Sequence, residues 1–154
     1  MREILFRGKQ VDNGEWVYGY YAIKGKDTEL EEHFICVSTL STSGRGYFHF
    51  TDIPVIPETI GEYTGLTDKN GKKIFVGDIV KEEYEVFVSA RKKELRTHIG
   101  YIEMSDLVSG CYAYYWDDER KMRCNFSISR FICVCEIIGT IHDNPELIGG
   151  TDNA

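Results

Sequence analysis

Apolar and aromatic residues recur along this chain in short runs that alternate with polar positions and are broken by Gly, Asn, Asp and Pro. This is the period-two pattern of β-strands. The runs fall at Glu3 to Gly8, Glu15 to Ile23, His33 to Val37, Tyr47 to Phe50, Ile60 to Gly65, Lys72 to Phe75 and Ile79 to Val88, then at His98 to Met104, Gly110 to Trp116, Phe126 to Ile128 and Arg130 to Ile141. The last is the longest uninterrupted β signal and predicts a central strand. Nowhere do apolar residues persist at i, i+3, i+4 and i+7 between caps, so no long helix is expected. Asn144-Pro145 offers one helix start, an N-cap followed by Pro at the first position, for a single turn. The pattern predicts a mainly β fold with little helix: a small, partly open β-barrel or sandwich with SH3-like features.

The punctuation is densest between Thr59 and Lys81. Asn70-Gly71, set between Leu66 and Ile74-Phe75, predicts a two-residue type I′ hairpin turn with positive φ at both central positions. Gly77-Asp78 predicts a second turn before Ile79-Val80. Around this module, Lys24 to Glu32 reads as a polar loop, Ser38 to Gly46 as a flexible one, and Arg91 to Thr97 as a basic loop. Gly19, between aromatic residues, marks a bulge or a close approach of another backbone.

A chain of 154 residues fits one domain, able to bury about 70% of its unfolded surface without disulfides or metal. That domain is assigned to residues 1–148, with a flexible tail at 149–154. Eighteen basic against 25 acidic residues leave a net charge of −7, which repels a phosphate backbone on average. No stretch has the charged, apolar, small-residue order of a signal peptide, and no apolar run reaches membrane-spanning length. A cytoplasmic protein without membrane contact is expected, its five Cys reduced and mostly buried.

Four blocks carry a family resemblance: EILFRGK, GEWVYGYY, TIGEYTGLTDKNGKKIFVGDIV and EIIGTIHDNPELI, in that order along the chain. Together they resemble the YopX-like proteins of bacteriophages and prophages. The resemblance implies phage or prophage origin and action inside a bacterium, and it carries no catalytic residue across. Glu82 to Cys124 shows no family pattern.

Candidate chemistry is sparse. His142-Asp143 beside Asn144 is a polar cluster that also suits a strand exit and a helix cap. Cys133 and Cys135 share a strand face but lack the knuckle spacing and the second Cys/His pair of a zinc site. The glycines at 61, 65, 71 and 77 form no phosphate-binding motif, and no serine sits in a nucleophile elbow. The expectation is no catalytic residue, no metal and no cofactor.

What remains is surface. Trp16, Tyr18, Tyr20 and Tyr21 place four aromatics in six residues, and Tyr112, Tyr114, Tyr115 and Trp116 place four in five. Strands alternate, so about half of these rings point away from any barrel interior, beyond what monomers usually expose. These eight residues are the interaction candidates. The reading is a non-enzymatic protein-interaction module that self-associates and binds a host or phage protein. The alternative is a nucleic-acid-binding module using Arg91, Lys92, Lys93 and Arg96 beside Tyr84 and Phe87, which the net charge disfavours. A hydrolase built across distant strands is a third, weaker reading.

Overall fold

The computed structural model describes residues 3–40, 46–105, 110–117, 120–128 and 134–149. The expected mainly β fold is borne out: β1 (Phe6–Lys9), β2 (Trp16–Lys24), β3 (Glu32–Leu40), β4 (Phe48–Pro54), β5 (Gly61–Thr67), β6 (Lys73–Phe75), β7 (Asp78–Ser89), β8 (Lys92–Ser105), β9 (Gly110–Asp117), β10 (Met122–Ser127) and β11 (Cys135–Thr140). Single 3₁₀ turns at Pro57–Thr59 and Pro145–Ile148 are the helical elements among the described residues. The strands form two antiparallel sheets, neither closed into a barrel.

The chain divides into two compact units, Met1–Tyr63 and Thr64–Ala154. The first unit holds the order β4-β3-β2-β1-β5. Its strand β2 changes partner at Gly19: Trp16 to Gly19 pair with β1, and Tyr20 to Lys24 pair with β3. At that switch the β3 backbone comes so near that a Cβ on Gly19 would collide with the Cys36 carbonyl, which is the close approach expected there. Just past β4, Val55 bridges Gln10 and ties the chain to the end of β1. Ile35 and Val55 are fully or almost fully buried in this unit.

In the second unit, β5 continues beside β6, and a five-stranded sheet runs β10-β9-β8-β7-β11. Its core gathers Leu66, Ile74, Val80, Ile102, Cys111, Ala113, Ile128 and Cys135. The Gly77 turn is present, with φ +91°, and Asp78 accepts the Phe75 N–H at 2.8 Å.

Several local expectations need correction. Gly71 has φ +80°, but Asn70 is not among the positive-φ residues, so the β5–β6 turn is not type I′. A turn closed by Gly71 N–H to Asp68 C=O, at 3.0 Å, precedes a left-handed Gly71, the three-residue alternative for hairpins. Asp68 selects it by accepting the N–H groups of Asn70 and Lys72, each at 2.9 Å. Of the run ending at Ile141, residues 130–133 lie outside the described ones. Among the described residues β11 stands at the end of its sheet's strand order, paired with β7, and its middle residues are half-buried, so a long apolar run did not report a central position. Cys133 and most of the 149–154 tail lie outside the described residues, as does the 41–45 part of the Ser38 to Gly46 loop. Arg91 to Thr97 is no loop, since β8 starts at Lys92. Asn144 makes no side-chain cap. Its Oδ1 instead faces Gly139 and the Thr140 N–H.

Candidate interaction surfaces

The first unit exposes aromatics because of how its register sorts them. Residues opposite each other in a ladder share a face, and the pairs Arg7–Tyr18, Lys9–Trp16, Tyr20–Cys36, Cys36–Asp52, Ser38–Phe50 and Leu40–Phe48 put all of these side chains on one side. Tyr18, Tyr20, Leu40, Phe48 and Phe50 are exposed there. On the opposite side of the same hairpin, Thr39, His49 and Thr51 are polar and also exposed. The distal β3–β4 hairpin is therefore amphipathic, and its apolar side faces solvent. Trp16 is less available: Arg7 lies 4.5 Å and Lys9 Nζ 5.5 Å from its ring centroid.

Lys24 and Asp52, 2.9 Å apart, neutralise each other on this side. The Lys24 ammonium holds Asp52 below the usual carboxylate range, and burial together with the hydrogen bond to Asp52 pushes the Cys36 thiol up. A thiol held protonated is a poor nucleophile.

Tyr21 turns to the other side, where it packs against Phe6 and stacks on His33. Its hydroxyl contacts His33 Nδ1, while His33 Nε2 meets Glu31 at 3.0 Å. Since a carboxylate only accepts, Nε2–H donates to Glu31, and in the neutral ring this leaves Nδ1 to accept from the Tyr21 O–H. This Tyr–His–Glu line has the layout of an activated nucleophile. Its electrostatics are opposite, because burial and the Glu31 charge raise the Tyr21 pKa and keep its proton in place. The relay instead anchors the Gly25–Glu31 loop, whose Asp27 N–H also bonds Glu31 at 2.9 Å.

In the second unit, Tyr112, Tyr114 and Trp116 share one side of β9 with Tyr101, Glu103 and Arg123. Arg123 lies 4.0 Å over the Tyr114 ring and bonds both the Tyr101 hydroxyl, at 2.8 Å, and Glu103, at 2.7 Å. Tyr112 and Tyr114 are half-buried, and Trp116 is exposed. Tyr115 points the other way into a cluster with His98 and Phe126, where Tyr84 O–H meets His98 Nε2 at 2.9 Å.

Strand alternation splits the basic run. Lys92, Glu94 and Arg96 fall on one side of β8, and Lys93 falls on the other with Phe87. Lys92 pairs with Glu94 at 2.8 Å and Lys93 with Glu85 at 2.7 Å. Four cations thus form no single stripe, and two are compensated. Among the described residues, no group of three or more His, Cys, Asp or Glu could hold a metal ion, and no helix is long and apolar enough to cross a membrane. The His142-Asp143 cluster serves the strand exit: both backbone N–H groups donate to Thr140 Oγ1.

Sequence reasoning placed Tyr18 and Tyr20 among the candidates and missed Leu40, Phe48 and Phe50. The available signal was the Phe-His-Phe-Thr alternation of β4, opposite a Ser-Thr-Leu segment with no large apolar residue on the other side.

The fold and these surfaces define a mainly β protein of two antiparallel sheets with aromatic side chains exposed on one side of β2, β3 and β4. The sequence profile of the family described as YopX protein matches residues 5–149, and the chain belongs to that family. A solved structure described as protein EF1440 from Enterococcus faecalis is similar at 20% identity, over 96% of this chain and 99% of that one, with a TM-score of 0.47. No curated protein matches.

Proposed function

We propose that this YopX-family protein is a non-enzymatic protein-binding module, encoded by a phage or prophage and acting in the bacterial cytoplasm. The observation that supports this reading is the outward apolar side of β2, β3 and β4, where Tyr18, Tyr20, Leu40, Phe48 and Phe50 stand exposed. Tyr is favoured at protein interfaces because it covers a large area at modest entropic cost and keeps its hydroxyl hydrated until docking. Tyr21 and Cys36, the groups nearest to a nucleophile's layout, agree with this reading, since both hold their protons more tightly than usual. The test is affinity capture from a bacterial host with the parent and with a Tyr20→Asp/Phe50→Asp double variant whose dichroism matches the parent. Partners retained by the parent and lost by the variant support the reading. Identical capture by both, with a parent mass that the double variant leaves unchanged, overturns it.

A further inference from the structure

We propose that the partner of this aromatic side is a second copy of the same chain, joined about a two-fold axis that packs the β2–β3–β4 side of one protomer on that of the other. The inference rests on the reading of this side as a binding surface and names its occupant.

Area is the first argument. Tyr18, Tyr20, Leu40, Phe48 and Phe50 retain 47%, 60%, 59%, 68% and 67% of their surface. With aromatic side chains covering about 150–250 Å² each, the five expose on the order of 600–700 Å² per copy, and two copies on the order of 1,300 Å². That lies within the span of specific, stable interfaces. A single face from this chain therefore suffices if its mate is equally apolar, and the same face of a second copy is such a mate.

Charge is the second. Two chains of net charge −7 repel each other through most of their surfaces. On this side the register places two cations that reach solvent, Lys9 and Lys24, against two anions, Glu32 and Asp52, while the third cation, Arg7, is buried. Lys24 and Asp52 are already paired within the protomer. The side is close to neutral in an acidic protein, so it is where a second copy approaches at least electrostatic cost. An acidic or strongly basic partner would find little here to recognise.

An isologous contact closes at two copies, because the same patch is used on both. Mutual burial also accounts for the amphipathic β3–β4 hairpin, whose Thr39, His49 and Thr51 side stays in water.

Sedimentation equilibrium from low to high micromolar protein tests this with the parent, Phe50→Asp, Tyr20→Asp and the control Phe87→Asp, which alters an equally exposed ring on the β7–β8 hairpin. The expected result is a parent mass of twice 17.7 kDa, little changed by salt. Phe87→Asp should match the parent, while Phe50→Asp and Tyr20→Asp should sediment as monomers with unchanged dichroism. A parent that stays at 17.7 kDa throughout overturns the proposal, as does an assembly larger than two copies or one that Phe50→Asp leaves intact. The two readings separate cleanly. A monomeric parent whose captured partners still depend on Tyr20 and Phe50 rejects self-pairing and keeps the binding module, whereas variants that alter neither mass nor capture reject both.

Discussion

Asp68 Oδ2 accepts the backbone N–H of Ile137 at 3.1 Å, joining the β5–β6 turn to strand β11. Its other oxygen accepts Asn70 and Lys72, so one buried carboxylate satisfies three backbone donors. Asp68→Ala leaves them without it and should cost roughly 3 kcal/mol of stability, read as a lowered urea midpoint with unchanged slope. A midpoint equal to the parent's would show that the cage contributes nothing.

Acid should weaken the fold through the same group. Burial opposes ionisation of Asp68, but the Ile137, Lys72 and Asn70 N–H groups outweigh it and hold its pKa low. The Asp27 N–H lowers Glu31, and hydrogen bonds from Lys24 and Lys69 lower Asp52 and Glu136. Each group binds its proton more weakly when folded than when unfolded. Their contribution is therefore complete above the ordinary carboxylate pKa of about 4 and is lost as pH falls through the folded values. Urea midpoints measured down the pH scale should drop through this window, and less steeply for Asp68→Ala than for the parent.

Most of the strands were legible because alternation, Gly and Asn signal local geometry directly. Trp16 to Ile23, Lys72 to Phe75 and the Gly77 turn appear close to where the pattern put them. The misses share a cause. Lys92 to Thr97 lacks β propensity, yet Lys93 is held across the ladder by Glu85 and covers Phe87, so pairing overrides composition. Among the candidates, Trp16 and Tyr114 look as sticky as Tyr20 in sequence. What separates them is the cation that lies over each ring, Arg7 or Arg123, supplied in both cases by the directly paired strand.

Gly71→Val should destabilise by roughly 1–3 kcal/mol, the cost of forcing a β-branched residue to positive φ. No atom lies within 4 Å of a Cβ built there, so the penalty is conformational rather than steric. Gly71→Asn, which tolerates the left-handed region, should lose clearly less in thermal melts. Equal losses for both would contradict this.

Gly19→Ala should fail for the other reason. Its backbone is ordinary, but the new methyl meets the Cys36 carbonyl and the Ile35 side chain. Overpacking of this kind costs about 1–3 kcal/mol. A thermal shift should show it, and tolerance of alanine would mean that β3 moves away freely.

Single-stranded oligonucleotides should not bind in a way that depends on Arg91 and Arg96. With Lys92 and Lys93 compensated by Glu94 and Glu85, few phosphate contacts remain to release counterions. Fluorescence anisotropy at low salt tests this, and a steep salt dependence abolished by Arg91→Ala/Arg96→Ala would refute it.

The boundary between the two compact units falls between Tyr63 and Thr64, in the middle of β5. Whoever tries to dissect the protein with scissors at that seam inherits two broken halves. The N-terminal piece keeps Gly61 and Glu62 beside Arg7 and Phe6, and the C-terminal piece loses the lead-in to Thr64, whose hydroxyl donates to the Ile74 carbonyl at 2.8 Å. Fragments meant for separate expression should overlap through Thr67 instead of abutting, so that each carries a whole copy of the shared strand.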